Sequence, residues 1–326
     1  MPKDLVPSQR GRSLTARQFL HLADVPPEAE WLANITNPQT RRAYQNDLKE
    51  FMGFANIGTP EELRAVTRAH MIAWRKDLEF GKLAPSTIRR KLAALSALFD
   101  YLCERNAVVG NPVDGVKRPK ANGNEGSTPA LGDAQAYLLL EAPDSETLKG
   151  VRDRAILAVL LYHGLRREEL CRLLVKDIHS REGATHFRVT GKGDKIRYVP
   201  VHADAQRRID AYLKMAGHGS DLTGPLFRPL VNTRTPEKLD RPLDPASIYR
   251  NVVRHYALEA GITGDVKGLC VHSLRATAAT NALTNRADIA KVQEWLGHAN
   301  VSTTRLYDRR KNKPEDSPTF HVKYGK

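Results

Sequence analysis

His272 and Arg275, in VHSLRATAATNAL, stand three residues apart, a spacing that puts imidazole and guanidinium on one face of a helix. Two such donors can clamp a phosphate, although taken alone they equally fit an ordinary surface pair. Leu274, Ala278, Ala279 and Leu283 give the helix an apolar opposite side, so it should be firmly seated. In LLYHGLRREELCRLLVKDI, an apolar helix ends at Leu160, Leu161 and Tyr162, Gly164 permits a turn, and Arg166 enters a second helix. A guanidinium flanked by leucines is partly desolvated and needs an anion. That anion is either an internal carboxylate, Glu168 or Glu169, or a ligand, and Glu169 can also cap the helix's first turn.

Two further segments offer reactive groups. GKGDK exposes Lys192 at a glycine-flanked tip that lacks the spacing of a phosphate-binding Walker loop. A lysine there is either a solvated edge charge or an ammonium carried into a groove, able to donate a proton to a leaving oxygen. WLGHANVSTTRLYDRR holds His298 and, nine residues on, Tyr307. Ser302 or Thr303 can start a short helix presenting the Tyr307 hydroxyl outward, and packing is the alternative role for that ring.

The elements that must position these groups are legible in the spacing of apolar residues. Residues 1–28 carry no periodicity and read as an arm. A helix opens at Asn37-Pro38 and carries Tyr44, Leu48, Phe51 and Met52; Thr67 caps a second that runs to Gly81, where a left-handed stop is expected. After Pro85-Ser86, the positions Ile88, Leu92, Leu95, Phe99 and Leu102 give a third. The polar faces hold Arg41, Arg42, Arg68, Arg75, Lys76, Arg89, Arg90 and Lys91. Residues 117–129 mix Lys, Pro, Gly, Asn and Ser and read as a linker. Beyond it, helical patterns are expected near 133–141, 148–163, 167–174, 203–215, 244–260, 273–284 and 287–297. Between 184 and 201 the period becomes two, with Thr185, Phe187 and Val189, then Ile196, Tyr198 and Val199, a hairpin pattern.

Composition limits the class of partner. The chain has 326 residues, with 51 Lys+Arg against 37 Asp+Glu and a formal charge of +14, so a polyanion is expected. Its 41% hydrophobic and 27% charged residues suit packed domains rather than a basic disordered tail. Cys103, Cys171 and Cys270 are odd in number and include no CxxC pair, which disfavours a disulfide framework or zinc site. The longest apolar run, Ala155 to Tyr162, is too short for a bilayer, and the N-terminus lacks the apolar stretch of a secretory signal. A soluble, cytoplasmic protein without a membrane partner is therefore expected.

In chain order, HGLRxxEL at Arg166, GKGxK at Lys192, HxLRxTxAT from His272 and WLGHxxxxTTxxY from His298 to Tyr307 resemble the tyrosine recombinases. These are the phage integrases, chromosome-dimer resolvases and transposon-borne recombinases, and the resemblance covers the whole chain. It implies a mainly α fold with a small β-sheet: a helical core-binding domain over 29–116 and an α+β catalytic domain over 130–326, with a tail from 308. It also implies site-specific recombination, in which double-stranded DNA is cleaved and rejoined through a 3′-phosphotyrosine and strands are exchanged through a Holliday junction. A homo-tetramer on paired sites, with or without a partner recombinase, would carry this out.

Phosphodiester cleavage needs a nucleophile, neutralisation of the non-bridging oxygens and a proton for the departing hydroxyl. The resemblance makes Tyr307 the nucleophile, Arg166 and Arg275 the clamp, Lys192 the general acid, His272 the proton carrier at the nucleophile and His298 a hydrogen-bond partner of the phosphate. The cations supply the charge that a metal provides elsewhere, so no metal and no cofactor is implied. Arg41, Arg42, Arg89, Arg90 and Lys91 are the expected DNA contacts of the first domain.

Departures qualify the match. Asp308-Arg309-Arg310 follows the nucleophile where many relatives have Thr-His. In the family the segment after the nucleophile often docks on a neighbouring subunit, and the alternating stretch Thr319–Tyr324 is the part expected to do so here, with intramolecular packing or disorder as the alternatives. With about 28 residues before the first helix, a separate arm-binding domain is not expected. The competing functions are a type IB topoisomerase-like enzyme and a non-catalytic DNA-binding regulator of the same fold.

Overall fold

A computed structural model describes residues 25–120, 128–181, 183–230, 239–262, 266–308 and 319, and the chain divides into two compact units, Met1–Gly123 and Asn124–Lys326. The arm before residue 25 and the tail stretch expected to dock, Thr319 aside, lie outside the described residues.

The first unit is helical: α1 (Pro27–Asn34), α2 (Pro38–Ala55), α3 (Pro60–Arg64), α4 (Arg68–Phe80) and α5 (Pro85–Glu104). Helix α1 begins earlier than the sequence reading allowed, because Trp31 and Leu32 bury against the core and Trp31 stacks on Tyr44. Asn37 caps α2 as expected, its Oδ1 accepting from the amides of Gln39 at 2.9 Å and Thr40 at 3.2 Å. Thr67 does open α4, but its amide donates to the His70 ring at 3.1 Å. The stop at Gly81 is not left-handed: Gly81 lies at φ −67°, and Lys82 takes the positive φ of 54°. The α5 stripe Ile88, Leu92, Leu95, Phe99 and Leu102 is fully buried around an edge-on contact between Phe51 and Trp74.

The second unit includes α6 (Asp133–Glu141), α7 (Leu148–His163), α8 (Arg167–Arg172), β1 (Ile178–Arg181), β2 (Ala184–Thr190), β3 (Ile196–Pro200), α9 (Ala203–Ala216), α10 (Arg254–Glu259), entered directly from a short helix Pro245–Ser247 and a π-helical stretch Ile248–Val253, then α11 (Val271–Thr284), α12 (Ile289–Leu296) and α13 (Val301–Arg305). Helix α7 is central, with Ala155 through Leu160 wholly buried, and packs against α9 and α11. An apolar run on all sides of a short helix suits a core position. The expected hairpin forms as β2 and β3, and β1, unforeseen from the sequence, adds antiparallel to β2.

The register decides which residues of the hairpin face inward. Phe187 pairs with Val199 and Val189 with Arg197, so Arg197 shares the face of the buried Phe187, Val189 and Val199. Ile196 and Tyr198, which the alternating pattern grouped with Val199, point the other way and are exposed. At the tip, the Gly191 amide donates to the Lys195 carbonyl at 2.8 Å across the turn Lys192–Asp194.

Candidate active site

Helix α7 ends at Gly164, whose left-handed φ of 56° reverses the chain and sets Arg166 at the N-cap of α8. A Cβ on Gly164 would stand 2.9 Å from Leu296 Cδ2 and 3.7 Å from Arg275 Cγ. Both the conformation and the close approach of this turn to α11 and α12 therefore call for glycine.

Glu169, in the first turn of α8, takes both roles its position offered. Its Oε2 accepts from the Arg166 amide at 2.8 Å, and its Oε1 accepts from Arg166 Nη1 at 2.7 Å. Arg197 adds two more bonds, Nη1 to Oε1 at 3.0 Å and Nη2 to Oε2 at 2.8 Å. Burial by itself would raise the Glu169 pKa, but the bonds from Arg197 and Arg166 hold it at about 2. The carboxylate is thus fixed, charged and buried between two guanidinium groups.

Arg275 projects from α11 into the protein and is 1% exposed. Its Nη1 donates to the Gly164 carbonyl at 2.5 Å and its Nη2 to the Leu296 carbonyl at 2.6 Å, while among the described residues its buried Nε finds no partner. Burial, with the Arg166 charge alongside, brings its pKa to about 10, so it remains a cation at neutral pH. Arg166 is the more accessible of the two, and its Nη2 donates to the Gly297 carbonyl at 3.2 Å. The two guanidinium groups are held by neighbouring carbonyls and by one carboxylate.

On the same α11, one turn earlier, His272 directs Nε2 at the Tyr307 hydroxyl, 3.0 Å away. Desolvation, then the charges of Arg275 and Arg166, lower the His272 pKa, which keeps the imidazole neutral and able to accept a proton. Tyr307 follows α13, which is capped by Asn300 rather than by Ser302 or Thr303. Contrary to the expectation of an outward phenol, the residue is 5% exposed and packs with Ala276, Ala279, Leu283, Val292 and Leu296. The Tyr307 carbonyl accepts from Thr280 Oγ1 at 3.1 Å. Burial of the ring on α11 turns the hydroxyl toward His272 instead of solvent.

His298 lies just beyond Gly297, its ring centroid 5.9 Å from that of Tyr307 and its Nδ1 2.9 Å from the hydroxyl of the wholly buried Thr304. Desolvation, then the charges of Arg275 and Arg166, pull its pKa to about 4. Of the six residues singled out in the sequence, Arg166, His272, Arg275, His298 and Tyr307 thus converge in the second unit. The sixth, Lys192, has its backbone in the β2–β3 turn, and its side chain lies outside what the structure describes.

Sequence reasoning missed Arg197 and Thr304. The signal for Arg197 was parity: it stands two residues from the inward Val199 and belongs to the same strand face. Thr304 gave no comparable signal, since a hydroxyl within TTRLY shows its role only once His298 is beside it.

The basic side chains of the first unit are placed unevenly. Arg41, Arg42, Arg89 and Arg90 are all exposed, but Arg41 is tied to its own helix start, Nε donating to the Ile35 carbonyl at 2.9 Å, and Arg89 Nη1 donates to the Pro119 carbonyl at 3.4 Å. Arg90 pairs with Asp47, Nη2 to Oδ1 at 3.0 Å. Lys91 does not lie on the polar face: it is 6% exposed, with Nζ 3.3 Å from Asp47 and 2.5 Å from Glu50. Its position three after Ile88 and four before Leu95 continues the buried stripe, and the two carboxylates satisfy its charge there.

Two family models match the chain: the phage integrase family over residues 130–313, and the phage integrase N-terminal SAM-like domain over residues 31–106. Tyrosine recombinase XerC of Pelobacter propionicus is 35% identical, over 83% of this chain and 84% of its own. Tyrosine recombinase XerD of Pseudomonas putida is 32% identical, over 86% of this chain and 89% of its own. Among solved structures, the XerH recombinase bound to its difH substrate superposes with a TM-score of 0.64 at 23% identity, covering 84% of this chain and 77% of that one. A lambda integrase dimer bound to a core site gives a TM-score of 0.64 at 18% identity, covering 93% of this chain and 81% of that one. These two likenesses establish the fold.

Proposed function

Because the chain belongs to the phage integrase family of tyrosine recombinases, and so is a site-specific recombinase, we propose that it cleaves and rejoins double-stranded DNA with Tyr307 as nucleophile. The observation that carries this assignment is the 3.0 Å approach of the Tyr307 hydroxyl to His272 Nε2, on the helix that also carries Arg275. The topoisomerase and regulator readings are not favoured, since the relatives are recombinases and the nucleophile's position is filled by tyrosine.

In the reaction, the phenolic proton passes to His272 as the tyrosyl oxygen bonds to phosphorus and the bond from phosphorus to the 5′-oxygen breaks. Lys192 gives the proton that makes the leaving group a 5′-hydroxyl. Charge on the non-bridging oxygens is met by Arg166 and Arg275, whose forked donors match a phosphate better than an ammonium does. The neutral His298 donates a hydrogen bond to the same phosphate. The 3′-phosphotyrosine conserves the ester, so a 5′-hydroxyl from a second duplex can attack it and restore tyrosine without ATP. Two duplexes with two scissile phosphates each need four tyrosines, hence a tetramer and a Holliday-junction intermediate. The 29–116 region takes the role of core-binding domain, with Arg41, Arg42, Arg89 and Arg90 as its exposed phosphate contacts.

Incubation with nicked suicide duplexes, followed by peptide mapping, tests the assignment. A covalent adduct on Tyr307 is expected; an adduct on another residue, or none on the cognate site, would overturn it.

A further inference from the structure

Helix α12 ends with carbonyls that have no partner within the helix, at the negative end of its dipole. Three consecutive carbonyls there each accept from a different arginine: Trp295 from Arg197 Nε at 3.2 Å, Leu296 from Arg275 Nη2 at 2.6 Å and Gly297 from Arg166 Nη2 at 3.2 Å. Two of these arginines are the clamp. The third is more fully engaged: Arg197 has all three nitrogens bonded, Nε to Trp295 and both Nη atoms to Glu169, the carboxylate that also holds Arg166, whereas among the described residues Arg275 keeps an unpartnered Nε.

Arg197 therefore spans the two anchors of the clamp. Through Nη1 and Nη2 it orients Glu169, and through Nε it holds the segment that receives Arg166 and Arg275. The backbone makes room for it at Gly297, where a Cβ would stand 3.2 Å from Arg197 Cδ and Nη1. Building on the recombinase assignment, we infer that Arg197 is a positioning residue, which sets the spacing of Arg166 and Arg275 for the scissile phosphate through Glu169 and the Trp295 carbonyl without touching the DNA. Lysine cannot replace it, since one ammonium does not reach two carboxylate oxygens and a carbonyl in a fixed planar array.

The test compares the full-length wild type with Arg197→Lys and Arg197→Ala on suicide duplexes of one sequence, carrying the scissile linkage as phosphodiester or as uncharged methylphosphonate. Adduct formation is followed in single turnover, alongside DNA binding and thermal unfolding. On the phosphodiester both variants should be slower, Arg197→Ala by about 100-fold, the scale of a misplaced positioning contact. On the methylphosphonate, which leaves the clamp less charge to neutralise, the ratio of wild type to variant should shrink to within about tenfold, with DNA binding unchanged. Unaltered cleavage of the phosphodiester would overturn the inference, as would equal losses on both linkages or a loss of binding in step with cleavage. Arg197→Lys, which keeps the charge and most of the volume, decides the matter should Arg197→Ala unfold. If the wild type forms no adduct at Tyr307, the assignment of the nucleophile fails first and the inference with it; an active wild type with unaffected variants defeats the inference alone.

Discussion

Tyr307 and His272 meet hydroxyl to imidazole at 3.0 Å, although 35 residues separate them along the chain. The contact joins the end of α13 to the first turn of α11, and Thr280 fixes it from behind by donating to the Tyr307 carbonyl at 3.1 Å. Tyr307→Phe keeps the buried ring and removes only the hydroxyl. It should abolish the covalent adduct, leave DNA affinity intact and change stability by about 1 kcal/mol, as read by adduct gels, binding isotherms and thermal unfolding.

The rate of adduct formation should depend on the neutral form of His272. Since the His272 pKa is lowered in the folded protein, first by desolvation and then by Arg275 and Arg166, the acidic break in the pH–rate profile should fall below the ordinary imidazole value of about 6.5. Above that break the rate should not depend on His272 titration. A break above 6.5 in single-turnover cleavage would contradict this role.

Thr304→Val is nearly isosteric and leaves His298 Nδ1 without its hydroxyl partner. A neutral imidazole that donates from Nε2 to phosphate needs Nδ1 as an acceptor, a role the Thr304 hydroxyl can meet by donating to it. Cleavage should slow by about tenfold, close to the loss caused by His298→Ala, and the two substitutions together should cost little more than either alone.

Glu169→Gln removes the charge that pairs with Arg166 and Arg197 in a site where Glu169 is 5% exposed. Stability should drop by about 3 kcal/mol, because two guanidinium groups then face an amide that also carries donors of its own. Denaturant titration measures the loss, and adduct formation should slow with it.

His163 makes the fold sensitive to acid. Its Nε2 accepts from the His202 amide at 2.9 Å, and burial lowers its pKa to about 4. The unfolded chain takes up a proton near pH 6.5, whereas the folded one does not until about pH 4. The contribution is therefore fully present above 6.5 and is lost as the pH falls toward 4, amounting to about 3 kcal/mol. Stability measured between pH 7 and pH 4 should decline accordingly, and His163→Phe should flatten the decline.

The features legible in residue order alone are local ones. His272 and Arg275 share a face because a helix repeats every 3.6 residues, Gly164 turns because glycine takes a left-handed φ without a Cβ penalty, and the stripe from Ile88 to Leu102 follows from spacing alone. The motifs around Arg166, Lys192, His272, His298 and Tyr307 also sufficed to reveal the family. Tertiary structure decided what depends on which surfaces meet. Strand pairing turned Arg197 inward, helix packing buried Lys91 beside Asp47, and the fold of α13 onto α11 sent the Tyr307 hydroxyl inward. Periodicity is set by backbone geometry over a few residues, whereas partners 35 or 131 positions away, as for Tyr307 with His272 and Arg166 with Gly297, are chosen by the packing of whole elements.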